Sequence, residues 1–173
     1  MPIAVSDPTS HAAYKTGARA LVVAAATIVA ALGFEHLGGY VPCPLCLEQR
    51  YAYYAGIPGL FAALVVLSAG HRRAAALLFA LVALAFVGNA GLGVYHAGAE
   101  WRFWPGPDTC AGAQEITTSA GGLLESLSQT NVIRCDEAAW RFMGISFAGW
   151  NVVVSLVVAL LSLRAAAASV RPQ

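Results

Sequence analysis

Four long apolar runs, separated by short polar breaks and one long polar stretch, set the pattern of this chain. Three of the runs carry no charged side chain: Tyr51–Gly70, Ala74–Tyr95 and Phe142–Leu163. The first, Ala20–Gly38, is charge-free only as far as Phe34, and Glu35 and His36 follow near its end. A hydrocarbon core about 30 Å thick needs about 20 apolar residues in helical form. Each run meets that length. The pattern predicts an all-α integral membrane protein, an antiparallel four-helix transmembrane bundle with spans at about 20–38, 51–70, 74–95 and 142–163. The chain, 1–173, reads as a single membrane domain. A cleavable signal peptide competes for the first run. The next span follows almost at once and no convincing small-residue cleavage site follows Ala31, so a retained helix is expected.

Lys and Arg in the short flanks orient the spans. Lys15 and Arg19 precede the first, Arg72 and Arg73 separate the second and third, and Arg164 and Arg171 follow the fourth. Four spans put all of these on one side, which is then cytoplasmic, with both termini. The opposite side receives two loops, about 39–49 and 97–141, with Arg50, Arg102, Arg134, Arg141 and nearly all the acids. In a bacterium that side is the periplasm, and the expected location is the inner membrane. Composition adds exclusions. The 173 residues are 58% hydrophobic and 11% charged, where soluble domains carry about a quarter charged. The net charge is +1 with a single lysine, so no basic patch points to nucleic acid. The lipid bilayer is the one partner that composition alone implies.

All four cysteines fall in the two outer loops: Cys43 and Cys46 in a CxxC, Cys110 and Cys135 in the long loop. A CxxC suits reversible dithiol–disulfide exchange, because one thiolate can resolve a mixed disulfide formed by the other. A static disulfide is the plainer alternative, although so small a loop is a poor entropic staple. A zinc knuckle needs a second close pair, and Cys110 and Cys135 are 25 positions apart. No metal site is therefore expected. Haem attachment needs His after the second Cys, where Leu47 stands. Taken alone, Cys110 and Cys135 read as an ordinary loop disulfide. Trp101, Trp104 and Trp140 at span ends read as interfacial anchors. Ile116, Ala120, Leu123, Leu124 and Leu127 recur at helical spacing, and a surface helix and an irregular loop remain equally open there. The Ala-rich tail after Arg164 is expected to fray.

The run Tyr40-Val41-Pro42-Cys43-Pro44-Leu45-Cys46-Leu47-Glu48-Gln49-Arg50 resembles the signature of the bacterial disulfide bond formation protein B family. The order of parts agrees: four spans, CxxC after the first, a cysteine pair between the third and fourth. The likeness covers Arg19 to Arg164. In the related vitamin K epoxide reductase family the loop pair precedes the CxxC, the reverse of the order here. The resemblance implies a quinone-dependent thiol oxidase. A reduced periplasmic thioredoxin-fold thiol oxidase attacks the Cys110–Cys135 disulfide, Cys135 attacks Cys43, and Cys46 passes the electron pair to ubiquinone or menaquinone from the membrane quinone pool. It implies catalytic roles for Cys43, Cys46, Cys110 and Cys135 and a quinone site at Cys46, Arg50 and His96. Arg50, one turn beyond Cys46 if the second helix starts near Leu47, would favour the Cys46 thiolate and donate to a quinone carbonyl. The alternatives are an Arg that snorkels to lipid phosphates and a solvated interfacial His96. Asn89 and Asn151 are expected to make interhelical hydrogen bonds. Gln49, Glu35 and His36 have no assigned chemistry beyond Gln49 holding Arg50 or the loop. Two rival classes stay open: a non-catalytic membrane scaffold or assembly protein with two structural disulfides, and a metal-handling membrane protein.

Overall fold

A computed structural model describes residues 8–106 and 135–171. Four helices carry the fold: α1 (Pro8–His36), α2 (Pro44–Ser68), α3 (Arg72–Glu100) and α4 (Phe147–Val170), with a short hairpin, β1 (Arg141–Phe142) and β2 (Ile145–Ser146), just before α4. All four helices are long and apolar enough to cross a membrane. The protein is a multi-pass, four-helix antiparallel membrane bundle. Cys110 and the Ile116–Leu127 stretch, with its two readings, lie outside the described residues.

In lipid, helices gain little from burying apolar surface against each other, so close packing of small residues matters more. The bundle interior follows that rule. Ala13, Ala20, Ala24, Ala63, Ala75 and Ala165 are fully buried, and Phe79, Phe86, Leu60 and Val158 fill the space between them. The large rings need notches. A Cβ at Gly17 would stand 2.7 Å from the Phe79 ring, and one at Gly56 only 2.5 Å from Phe86. Gly56→Val is expected to destabilise the bundle by about 1–3 kcal/mol through overpacking. Gly88→Ala, where nothing lies within 4 Å, is expected to be neutral or stabilising by up to about 1 kcal/mol. Thermal unfolding in detergent separates the two, and equal midpoints would contradict this packing.

The helix ends differ from the expected spans, and at α2 and α4 the differences have a local cause. Helix α2 starts at Pro44, earlier than the sequence suggested. Proline is favoured in a helix's first turn, and the Cys43 sulfur caps it by accepting the Cys46 N–H at 3.3 Å. Cys46 therefore sits inside the first turn, with Arg50 four residues on. Helix α4 starts at Phe147, later than expected. The chain turns at Met143 and Gly144, both at positive φ, as a two-residue hairpin requires, pairing Arg141 with Ser146 and Phe142 with Ile145. The Ser146 hydroxyl then caps α4 by accepting the Gly149 N–H at 3.2 Å. The alanine tail does not fray: α4 continues through Val170, with Ala165, Ala166 and Ser169 buried. Alanine's helix propensity favours this, and Arg72 secures it by donating to the carbonyls of Ser169 (2.8 Å) and Arg171 (3.1 Å), groups a helix end leaves open.

Candidate functional site

At the end of the bundle opposite Arg72, α1, α2, α3 and α4 bring together most of the residues singled out in the sequence. Cys43 and Cys46 are both free thiols, with their sulfurs 2.9 Å apart. Cys135 is disulfide-bonded. It is only 1% exposed and packs in one small buried cluster with Cys43 and Leu45, with Cys46 and Leu92 against it. The two cysteine pairs of the sequence thus meet in space, through Cys135 and Cys43.

His96 approaches Cys43 from α3, with Nε2 3.6 Å from the sulfur. Its other nitrogen, Nδ1, lies 2.8 Å from Gln49 Nε2. Gln49 Oε1 in turn accepts from Asn151 Nδ2 at 2.6 Å. The Asn151 oxygen accepts from the Tyr53 hydroxyl at 2.7 Å and from Asn89 Nδ2 at 3.3 Å. Asn89 also donates to Ser155 at 3.0 Å. Asn89 and Asn151 therefore make the interhelical hydrogen bonds expected of them. One buried polar chain runs from the bundle interior to the Cys43 sulfur.

Cys43 is acidified to about 5. The hydrogen bond from the Cys46 thiol is the main cause; burial opposes it, and His96 and the Cys46 backbone N–H add to it. The helix N-terminus supplies the same sense of field. A lowered pKa keeps the thiolate above the midpoint and loses it below. Alkylation of reduced Cys43 should therefore be nearly flat between about pH 7 and 9 and fall as the pH drops through about 5. A midpoint near the ordinary thiol value of about 8.5 would contradict this.

Beside Cys46 a cavity of about 230 Å³ opens between α1, α2 and α4. Its walls are mostly apolar, with Ile28, Ala31, Phe34 and Val154 among them, and its polar lining includes Cys46, Gln49, Arg50 and Asn151. An aromatic cluster bounds it: Phe147 lies 5.1 Å from Phe34, 5.9 Å from Tyr40 and 5.0 Å from Trp140, ring centre to ring centre. Trp140 and Trp104 so have packing partners within the protein; Trp104 stacks on Tyr95 and donates to its carbonyl, while Trp101 is half exposed.

Arg50 lines the cavity with Cys46, but its guanidinium is held by the Glu35 carboxylate of α1. His96 is not among the cavity-lining residues; it reaches the cysteine pair through Cys43. Three roles escaped sequence reasoning. Glu35 pairs with Arg50, a partnership signalled only by their similar height on neighbouring spans. Gln49 bonds His96 and Asn151 and not Arg50. Glu100, one turn after His96, places Oε1 3.9 Å from Nε2, and its Oε2 is buried without a hydrogen-bond partner among the described residues. The i, i+4 spacing was the available signal.

The family model for disulfide bond formation protein DsbB matches residues 16–165. The chain belongs to the disulfide bond formation protein B family. It is similar to the disulfide bond formation protein B of Herminiimonas arsenicoxydans, 32% identical over 149 residues, which cover 80% of this chain and 85% of the relative. The Acidovorax relative is 30% identical over 158 residues, covering 84% of each chain. The Albidiferax ferrireducens relative is 29% identical over 138 residues, covering 75% and 73%. No solved structure gave a significant match. As a member of this family the chain is a membrane protein of disulfide bond formation. The geometry sets a free dithiol beside a disulfide-bonded cysteine. Ligand atoms of Cys43, Cys46 and His96 also lie within 4.8 Å of one another, close enough to hold a metal ion.

Proposed function

We propose that this protein is a quinone-dependent membrane thiol oxidase that reoxidises a periplasmic thioredoxin-fold disulfide oxidase. The observation that carries the reading is the burial of Cys135 against Cys43, which brings a loop disulfide next to the CxxC. A thiolate of the partner attacks Cys110, and Cys135 leaves as a thiolate. Cys135 attacks Cys43 of the oxidised CxxC, and Cys46 leaves. The partner's second thiolate then releases the oxidised partner from Cys110. Cys110 attacks Cys135, restoring the loop disulfide and freeing Cys43. The net change is one dithiol oxidised in the partner and one dithiol formed at Cys43 and Cys46.

The cavity beside Cys46 suits a quinone ring. It is mostly apolar, with two amides and the Arg50–Glu35 pair in its lining; the amides and the guanidinium are donors of the kind that recognise a flat ring with carbonyl oxygens. Cys46, Arg50, Gln49 and Asn151 would hold the ring, and its isoprenoid tail would extend into lipid. A bound quinone supplies a two-electron, two-proton acceptor. His96, against Cys43, serves the thiol side of the relay. Both termini are cytoplasmic and the cysteines periplasmic, following the Lys and Arg asymmetry of the flanks.

Purified protein, given reduced thioredoxin-fold partner and ubiquinone or menaquinone, should consume one quinone per partner disulfide formed. A scaffold with inert bridges would consume none. A reporter fused near Gln129 should read periplasmic and one after Arg73 cytoplasmic; the opposite readings would place the cysteines in a reducing compartment and sink the relay.

A further inference from the structure

The polar chain that ends at Cys43 has a direction, and that direction sets the chemistry of His96. Three donors face the Asn151 oxygen: the Tyr53 hydroxyl at 2.7 Å, Asn89 Nδ2 at 3.3 Å and the Ser155 hydroxyl at 3.5 Å. Asn89 gives its NH₂ to the Ser155 hydroxyl and to Asn151; with Asn89 so oriented, turning the Asn151 amide over would set NH₂ against NH₂, so Asn151 presents Nδ2 to Gln49. Gln49 then accepts on Oε1 and has only its NH₂ left for His96. An amide NH₂ donates and never accepts, so His96 Nδ1 must accept. The imidazole proton therefore sits on Nε2, 3.6 Å from the Cys43 sulfur and 3.9 Å from Glu100 Oε1.

We propose that Gln49 is a positioning residue of the relay: held by Asn151, its amide locks His96 with the proton on Nε2, so that the imidazole donates to the Cys43 sulfur as that sulfur leaves. This rests on the relay reading above. The step concerned is the attack of the Cys110 thiolate on Cys135 in the Cys43–Cys135 disulfide. The Cys110–Cys135 bond forms, the Cys43–Cys135 bond breaks, and Cys43 departs with the electron pair. Negative charge moves from one sulfur to another and no outside oxidant is needed. Stabilising the leaving thiolate speeds such exchange, and a donor aimed at that sulfur does so in a buried site where water cannot. The other ionisable groups here act in known senses. In the reduced protein the Cys46 thiol donates to the same sulfur, Cys135 packs against it, and the Glu100 carboxyl lies 3.9 Å from Nε2, beyond hydrogen-bond distance. Arg141 of the hairpin offsets the Glu100 charge.

The test uses the full chain in detergent, reduced with dithiothreitol, with ¹⁵N-labelled histidine and the His96 signals assigned by their loss in His96→Gln. Wild type should show a protonated Nε2 and an unprotonated Nδ1. Gln49→Glu, close in shape but unable to donate, should place a proton on Nδ1. In Gln49→Leu the lock is lost, and the Cys43 alkylation midpoint should rise by about one pH unit, a roughly tenfold fall in rate below the midpoint. Gln49→Glu should keep a low midpoint, since an imidazole protonated on both nitrogens still donates to the sulfur. A wild-type proton on Nδ1, an unchanged tautomer in Gln49→Glu, or an unchanged Cys43 profile in Gln49→Leu would each overturn the proposal. None of these readouts uses quinone or a partner. Wild type that fails to turn over quinone would sink the relay and leave the tautomer result standing.

Discussion

Cys46→Ser is expected to bring steady-state quinone reduction down to background while leaving the loop disulfide able to oxidise one equivalent of partner. The reason is the unequal setting of the two sulfurs. Cys43 is buried against Cys135 and His96 and is not among the cavity-lining residues. Cys46 lines the cavity with Arg50. Removing Cys46 leaves the entry side of the relay chemically complete and takes away the sulfur beside the acceptor. Two observables check this: quinone absorbance under turnover, and the stoichiometry of partner oxidised per protein in a single mixing. Sustained turnover in Cys46→Ser would remove the electron path proposed here.

The second large effect is expected at Arg50. Arg50→Met keeps length and bulk but removes the cation and its donors. The loss of a charged hydrogen bond to a quinone carbonyl costs about 1–3 kcal/mol, so kcat/KM for quinone should fall by about one to two decades, mostly through KM. Arg50→Lys should recover part of it, since it keeps charge without the planar fork. Glu35 complicates the reading in a useful way. Arg50→Met strands the Glu35 carboxylate, whose side chain is only 24% exposed, and should destabilise the fold as well. The double variant Arg50→Met with Glu35→Gln removes that burden. It should regain thermal stability without regaining quinone affinity. If the double variant recovered both, Arg50 would serve only as the structural partner of Glu35, and the quinone site would have to be sought elsewhere.

The membrane class, the number of spans and the candidate chemistry were legible in the chain. Runs of charge-free residues report directly on lipid burial, because an unpaired charge in hydrocarbon is costly wherever its neighbours are. The Cys43–Cys46 pair is likewise local, and its spacing makes it a candidate for exchange chemistry. Helix ends were less legible. Whether α4 starts at Phe142 or Phe147 depended on a two-residue turn at Met143 and Gly144, and whether it frays after Arg164 depended on Arg72, a residue of another helix.

Contacts between spans were decided by tertiary structure. By sequence Arg50 belonged with Cys46; in the fold Glu35 holds it, because α1 brings a carboxylate to the same height. Gln49 sat in a recognisable motif without chemistry until α3 and α4 placed His96 and Asn151 on either side of it. The amide is symmetric in outline, and only its partners determine which end donates. What the sequence determined by itself was therefore what depends on one residue type and its lipid or local surroundings: four spans, one apolar class, two cysteine pairs. What only the tertiary structure decided was what depends on two or more helices at once: which sulfur meets Cys135, which lines the cavity, and which side chains face the two nitrogens of His96. Hydrogen-bond direction and ion pairing at those points are properties of the assembled bundle, and no span carries them alone.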